Sequence, residues 1–81
     1  MGKKQFSYDK ILCKHFGLKV ASLRKTKGLP QDEVAFMAQI STSYLSSIER
    51  GKTDVTISTV KRIAKALEVD IYELFIFQKN K

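Results

Sequence analysis

Between Ser41 and Gly51 the chain places Thr42, Ser43, Ser46, Ser47 and Arg50 at successive spacings of one, three, one and three. On a helical wheel these five side chains fall within a contiguous arc of about 140°. Leu45 and Ile48 face the opposite way, and Tyr44 lies at the border. The outer arc carries hydroxyls and one guanidinium but no acid. A solvated helix face usually carries Glu and Lys, which are good helix formers and pair at i,i+4. Serine is a poorer helix former, because its hydroxyl competes for backbone groups. Small hydroxyl side chains instead allow close approach to another surface. A hydroxyl can donate to or accept from any base edge of a duplex, and the Thr methyl can meet a thymine methyl. Taken alone, the stripe fits an indifferent polar face equally well.

The elements that must hold this stripe follow from periodicity. Leu12, Phe16, Val20 and Leu23 line one face of a first helix over Ser7–Thr26. Ser7 is its expected N-cap, with Asp9 in the first turn, and Gly28 suits the C′ position. Gly17 inside this helix costs about 1 kcal/mol against Ala and signals either close packing or nothing special. Pro30 opens a short second helix, Gln31–Ala38, with Val34, Ala35 and Ala38 inward. A three-residue turn leads to the third helix, Thr42–Arg50, with Ser41 as N-cap and Gly51 closing it. The polar tract Lys52–Val55 reads as a loop. Thr56 caps a fourth helix, Ile57–Leu67, with Val60, Ile63, Ala64 and Leu67 inward. Asp70 and Glu73 resemble a capping box for a fifth helix from Ile71 to about Phe77. No strand pattern competes, so the expected fold is all-α with five short helices in one domain over residues 1–81.

Composition narrows the function. Fifteen Lys+Arg against eight Asp+Glu give a net charge of +7, which leans toward a polyanionic partner. Four of these lysines, Lys3, Lys4, Lys79 and Lys81, sit in the tails, so the placement of charge matters more than its sum. One cysteine, Cys13, and one histidine, His15, supply neither an internal disulfide nor a zinc ligand set. They read as structural or surface residues. No apolar run approaches a membrane span, and no apolar segment follows Lys3 and Lys4 as in a signal peptide. The expected location is the reducing cytoplasm. No paired carboxylates, nucleophile–base set or phosphate loop point to an enzyme, and no cofactor or small-molecule ligand is evident.

The spacing of the neighbours sharpens the reading. The stretch Gln31-x-x-Val34-Ala35-x-x-x-Gln39-Ile40-Ser41-x-x-x-Leu45-Ser46-x-Ile48-Glu49-x-Gly51 resembles a phage-repressor-type helix-turn-helix of the Cro/XRE kind. Upstream, Phe16-Gly17-x-x-Val20-x-x-Leu23-Arg24 and Gly28-Leu29-x-Gln31 resemble that family's first helix. Downstream, Ile57-x-x-Val60-x-x-Ile63-Ala64-x-Ala66-Leu67-x-Val69 and Leu74-Phe75 resemble its fourth and fifth. The likeness covers about residues 16–75, with the motif itself at about 31–51. One departure is Gln39, where members of the family often have Gly because the turn needs left-handed backbone. Gln there should cost on the order of 1 kcal/mol.

The resemblance implies roles. The third helix would enter the major groove of double-stranded DNA, with Thr42, Ser43 and Ser47 facing bases and Ser46 behind them. Gln31, at the start of the second helix with its free N–H groups, would clamp a phosphate. Arg50, Lys52 and Thr53 are further phosphate candidates, which set register and affinity but carry no sequence information. Tyr44 would either reach a phosphate or cover the edge of the core. Arg24 and Glu49 match a pair that in similar proteins bridges the first and third helices, and Ala35 lets the motif's two helices cross closely.

Leu74, Phe75, Ile76 and Phe77 are four consecutive apolar residues, which cannot all face one small core. A chain this small also buries too little surface for a wide stability margin. The resemblance implies a second subunit covering this end about a two-fold axis, making an apolar dimerisation helix of about residues 70–78. Without a partner, Leu74 and Phe75 would close the monomer core while Ile76 and Phe77 fray. The leading expectation is a homodimeric transcriptional regulator on a palindromic operator, similar to restriction–modification controller proteins. The alternative is an antitoxin-type or other protein-binding module of the same fold.

Overall fold

The computed structural model describes residues 7–77. Lys3, Lys4, Lys79 and Lys81 lie outside them, as does residue 78 at the end of the expected last helix. Four α-helices follow in order: α1 (Lys10–Thr26), α2 (Gln31–Ala38), α3 (Thr42–Glu49) and α4 (Ile57–Leu67). A 3₁₀ turn at Ile71–Phe75 follows, so the fold is all-α with four helices and a short turn at the place of the expected fifth helix.

Local chemistry accounts for most boundaries. Ser41 accepts from the Tyr44 amide and Thr56 from the Thr59 amide, as their positions predict. At the start of α1 the cap is Asp9, whose carboxylate accepts from the Leu12 amide at 2.9 Å, and not Ser7. An Asp in this place also puts negative charge against the helix N-terminus, which favours it over Ser. Arg50 is the C-cap of α3 and lies outside the helix. Gly28 and Gly51 both have φ of 69°, the conformation that ends α1 and α3. Gln39 does occupy the left-handed region, with φ of 61°. Glu68 adopts the same conformation after α4, with φ of 59°.

The core gathers Phe16 and Val20 from α1, Val34, Ala35 and Ala38 from α2, Leu45 and Ile48 from α3, and Val60, Ile63, Ala64 and Leu67 from α4. Leu12 departs from its expected place: it is exposed, and Cys13 is buried instead. The buried face of α1 is turned toward Gly17, where α3 crosses, and this rotates Leu12 off its edge.

Of the expected helix at about 70–78, the described residues show only the 3₁₀ turn at Ile71–Phe75. Asp70 makes no side-chain cap bond, and Ile76 is already extended. Leu74 is wholly buried in this chain's own core, and Phe75 lies 5.2 Å from the Phe16 ring. The chain then leaves the helical path, so that Phe77 stacks on His15 at 5.3 Å.

Candidate nucleic-acid interface

The stripe predicted on α3 faces outward. Thr42, Ser43 and Arg50 are exposed, while Ser46 and Ser47 are half-buried. Behind them Leu45 and Ile48 are fully buried. Among the described residues, no hydrogen bond engages the hydroxyls of Thr42, Ser43, Ser46 or Ser47. They remain available to an outside partner. The Arg50 Nε donates to the Ser46 carbonyl at 3.3 Å, which folds its stem along the helix.

Two glycines set the position of α3 against α1. A Cβ on Gly17 would overlap the Ile48 carbonyl oxygen and lie 2.7 Å from the Glu49 carbonyl oxygen. A Cβ on Gly51 would lie 2.7 Å from the Lys14 Cα. The second half of α3 is therefore in backbone contact with α1, a tighter seat than side-chain packing gives.

A charged network locks the same end. Arg24 donates from Nε to Glu49 Oε2 at 2.8 Å and from Nη2 to Glu49 Oε1 at 3.1 Å, a bidentate pair. The two side chains are only 12% and 7% exposed. Hydrogen bonding to Glu49 raises the Arg24 pKa above its ordinary value, against the opposing effect of burial. Arg24 Nη1 also donates to the Leu29 carbonyl at 2.9 Å. The expected bridge between the first and third helices is therefore present, and it extends to the link before α2.

Gln31 sits at the start of α2, but its amide donates to Glu49 Oε1 at 2.9 Å. It thus completes the Arg24–Glu49 network and retains one amide hydrogen for a second acceptor. Tyr44 packs against the core, and its hydroxyl donates to the Asp54 carbonyl at 3.3 Å. The Thr53 hydroxyl donates to the same carbonyl, while Lys52 is exposed beside it.

Two structural residues gave little sequence signal. The Asp54 carboxylate accepts from the Val55 amide at 2.9 Å and lies 4.0 Å from the Cys13 sulfur. Burial pushes the Cys13 thiol pKa up, and the charges of Asp54 and Asp9 push it further. Arg62, which looks like a surface cation, donates from Nε to the Ala38 carbonyl at 2.9 Å. The available clue was indirect: the last turn of α2 has no basic residue of its own. Among the described residues, no group of three His, Cys, Asp or Glu side chains could hold a metal ion, and no helix is long and apolar enough to cross a membrane.

A bihelical motif with an outward polar stripe and a buried ionic brace defines a class. The helix-turn-helix family HTH_3 matches residues 20–74, and the chain belongs to this Cro/XRE-type family of DNA-binding transcriptional regulators. Its relatives include restriction–modification controller proteins. It is 36% identical over 63 residues to the control protein C.BamHI of Bacillus amyloliquefaciens, covering 76% of this chain and 78% of that one. It is 45% identical over 58 residues to the uncharacterized HTH-type transcriptional regulator y4dJ of Sinorhizobium fredii, covering 72% and 75%. Among solved structures, the controller protein C.AhdI from Aeromonas hydrophila superposes with a TM-score of 0.77 at 35% identity, over 78% of this chain and 96% of that one.

Proposed function

We propose that this chain is a homodimeric transcriptional regulator that reads a palindromic operator and acts as a restriction–modification controller protein. The observation that carries the reading is the outward stripe of α3, whose hydroxyls are unengaged among the described residues while its back is fixed by Gly17 and Glu49. Thr42, Ser43 and Ser47 would meet base edges, with Ser46 behind them. Arg50, Lys52 and the free amide hydrogen of Gln31 would meet phosphates, and Thr53 lies beside them. Tyr44, tied to the Asp54 carbonyl, favours the role of covering the core edge. A protein with this role works in the cytoplasm, where the DNA is.

The dimer would form through Phe75, Ile76 and Phe77. Phe75 and Ile76 are 41% and 54% exposed, and Phe77 borders an open groove with Leu18. Leu74 has no surface left to offer a second copy. The likeness to C.BamHI and C.AhdI supports the controller assignment. Selection of binding sites from random duplexes tests the whole reading. Enrichment of a sequence with dyad symmetry is expected, and the region upstream of the protein's own coding sequence should contain it. Recovery of no preferred sequence would overturn the proposal.

A further inference from the structure

A second surface is suited to a polyanion. Helix α4 carries Lys61, Arg62 and Lys65 and no acidic residue. With Met37, Gln39 and Ser58, these three line an open groove of about 520 Å³ between the end of α2 and α4, and no acid lines it. Arg62 is fixed there by the Ala38 carbonyl and by the Thr59 hydroxyl at 3.3 Å. Lys61 and Lys65 are exposed, and among the described residues neither takes part in an ion pair. Like charges at i,i+4 slightly destabilise an isolated helix, a cost that an anionic partner would offset. Lys65 gains from the negative end of the helix, but Lys61, at the middle, does not. The wall at Gln39 lies two residues before Ser41, the cap of α3. The groove is thus continuous with the turn that leads into the outward stripe.

We infer that Lys61 and Lys65 carry duplex phosphates, extending the DNA interface beyond α3 along α4. This rests on the DNA-binding reading above and adds a contact surface to it. The basic, acid-free lining and its reach to Gln39 in the turn before α3 favour a duplex over an acidic protein as the occupant. Phosphate contacts of this kind act on every sequence alike and weaken with salt.

The test is the double variant Lys61→Gln/Lys65→Gln, with binding to a random-sequence duplex followed across a salt series. The slope of log affinity against log salt should become shallower by about 2, one for each lysine. At ~0.1 M salt, affinity should fall about ten- to hundredfold, equally on random and on selected duplexes. An unchanged slope and affinity would overturn the inference and leave the groove to an acidic protein or to solvent. A loss that depends on base sequence would overturn it too. Ser43→Ala on the same duplexes separates this inference from the broader reading. If its base preference shifts while the lysine variant behaves as wild type, the reading of α3 stands and the groove falls. If the wild-type protein binds neither duplex, both fall.

Discussion

Arg62 and Ala38 lie 24 residues apart, yet the Arg62 Nε donates to the Ala38 carbonyl at 2.9 Å. One helix thereby closes the end of another, because α2 has no basic residue in its last turn. Arg62→Leu should therefore lower stability by about 1.5–3 kcal/mol, the range for a lost hydrogen bond from a charged group. Urea unfolding would measure it. A change within a few tenths of a kcal/mol would mean that water replaces the guanidinium.

Gly17→Ala should destabilise the domain despite the better helix propensity of Ala. Overlap with the Ile48 carbonyl must be relieved by moving backbone, and overpacking of this kind costs about 1–3 kcal/mol. The propensity gain is about 1 kcal/mol. Thermal unfolding decides the sign: a raised midpoint would show that α1 and α3 separate easily.

Ser43 and Gln31 should differ in kind. Ser43→Ala is expected to relax discrimination at one base pair by about 1–3 kcal/mol while leaving folding intact. Gln31→Ala should weaken binding to all duplexes about equally. It should also lower stability, since Glu49 Oε1 loses its amide donor. Equal losses on every sequence for Ser43→Ala would move base reading to other residues.

Cys13 links stability to alkaline pH. Burial is the main cause that raises its pKa in the folded state, followed by Asp54 and Asp9. The unfolded chain therefore releases the thiol proton at lower pH than the folded one. The stabilisation is fully present below the ordinary thiol value of 9.0 and is lost as pH rises through the higher folded value. Stability of wild type minus that of Cys13→Ala should fall with pH across this window. A flat difference would show that the thiol titrates alike in both states.

The extents of α2 and α4 could be read in advance because their signals are local. Pro30 and Thr56 sit at the starts, and the buried residues follow a 3.6-residue period. The strained turn at Gln39 was expected from the family resemblance, whose members often carry Gly at that place. Glu68 adopts that conformation with no such family signal to announce it. The brace of Arg24 and Glu49 came from resemblance, and the part played in it by Gln31 did not, because an amide at a helix start has several possible acceptors. Cys13 displaced Leu12 from the core because the rotation of α1 is set by its crossing with α3, a relation between distant segments. The end of the chain was read only in part, for a like cause. Return of Phe77 to His15 depends on where α1 lies, and periodicity within residues 70–78 does not encode it.

The four hydroxyls of α3 hold nothing together inside the described protein, and the parts that do hold α3 in place are Gly17, Arg24 and Glu49. Under the proposed function, folding and reading are thus separable by residue. If the proposed base-reading role holds, drift at 42, 43, 46 and 47 would retune the preferred sequence without disturbing the scaffold, and relatives could come to serve different promoters on the same frame.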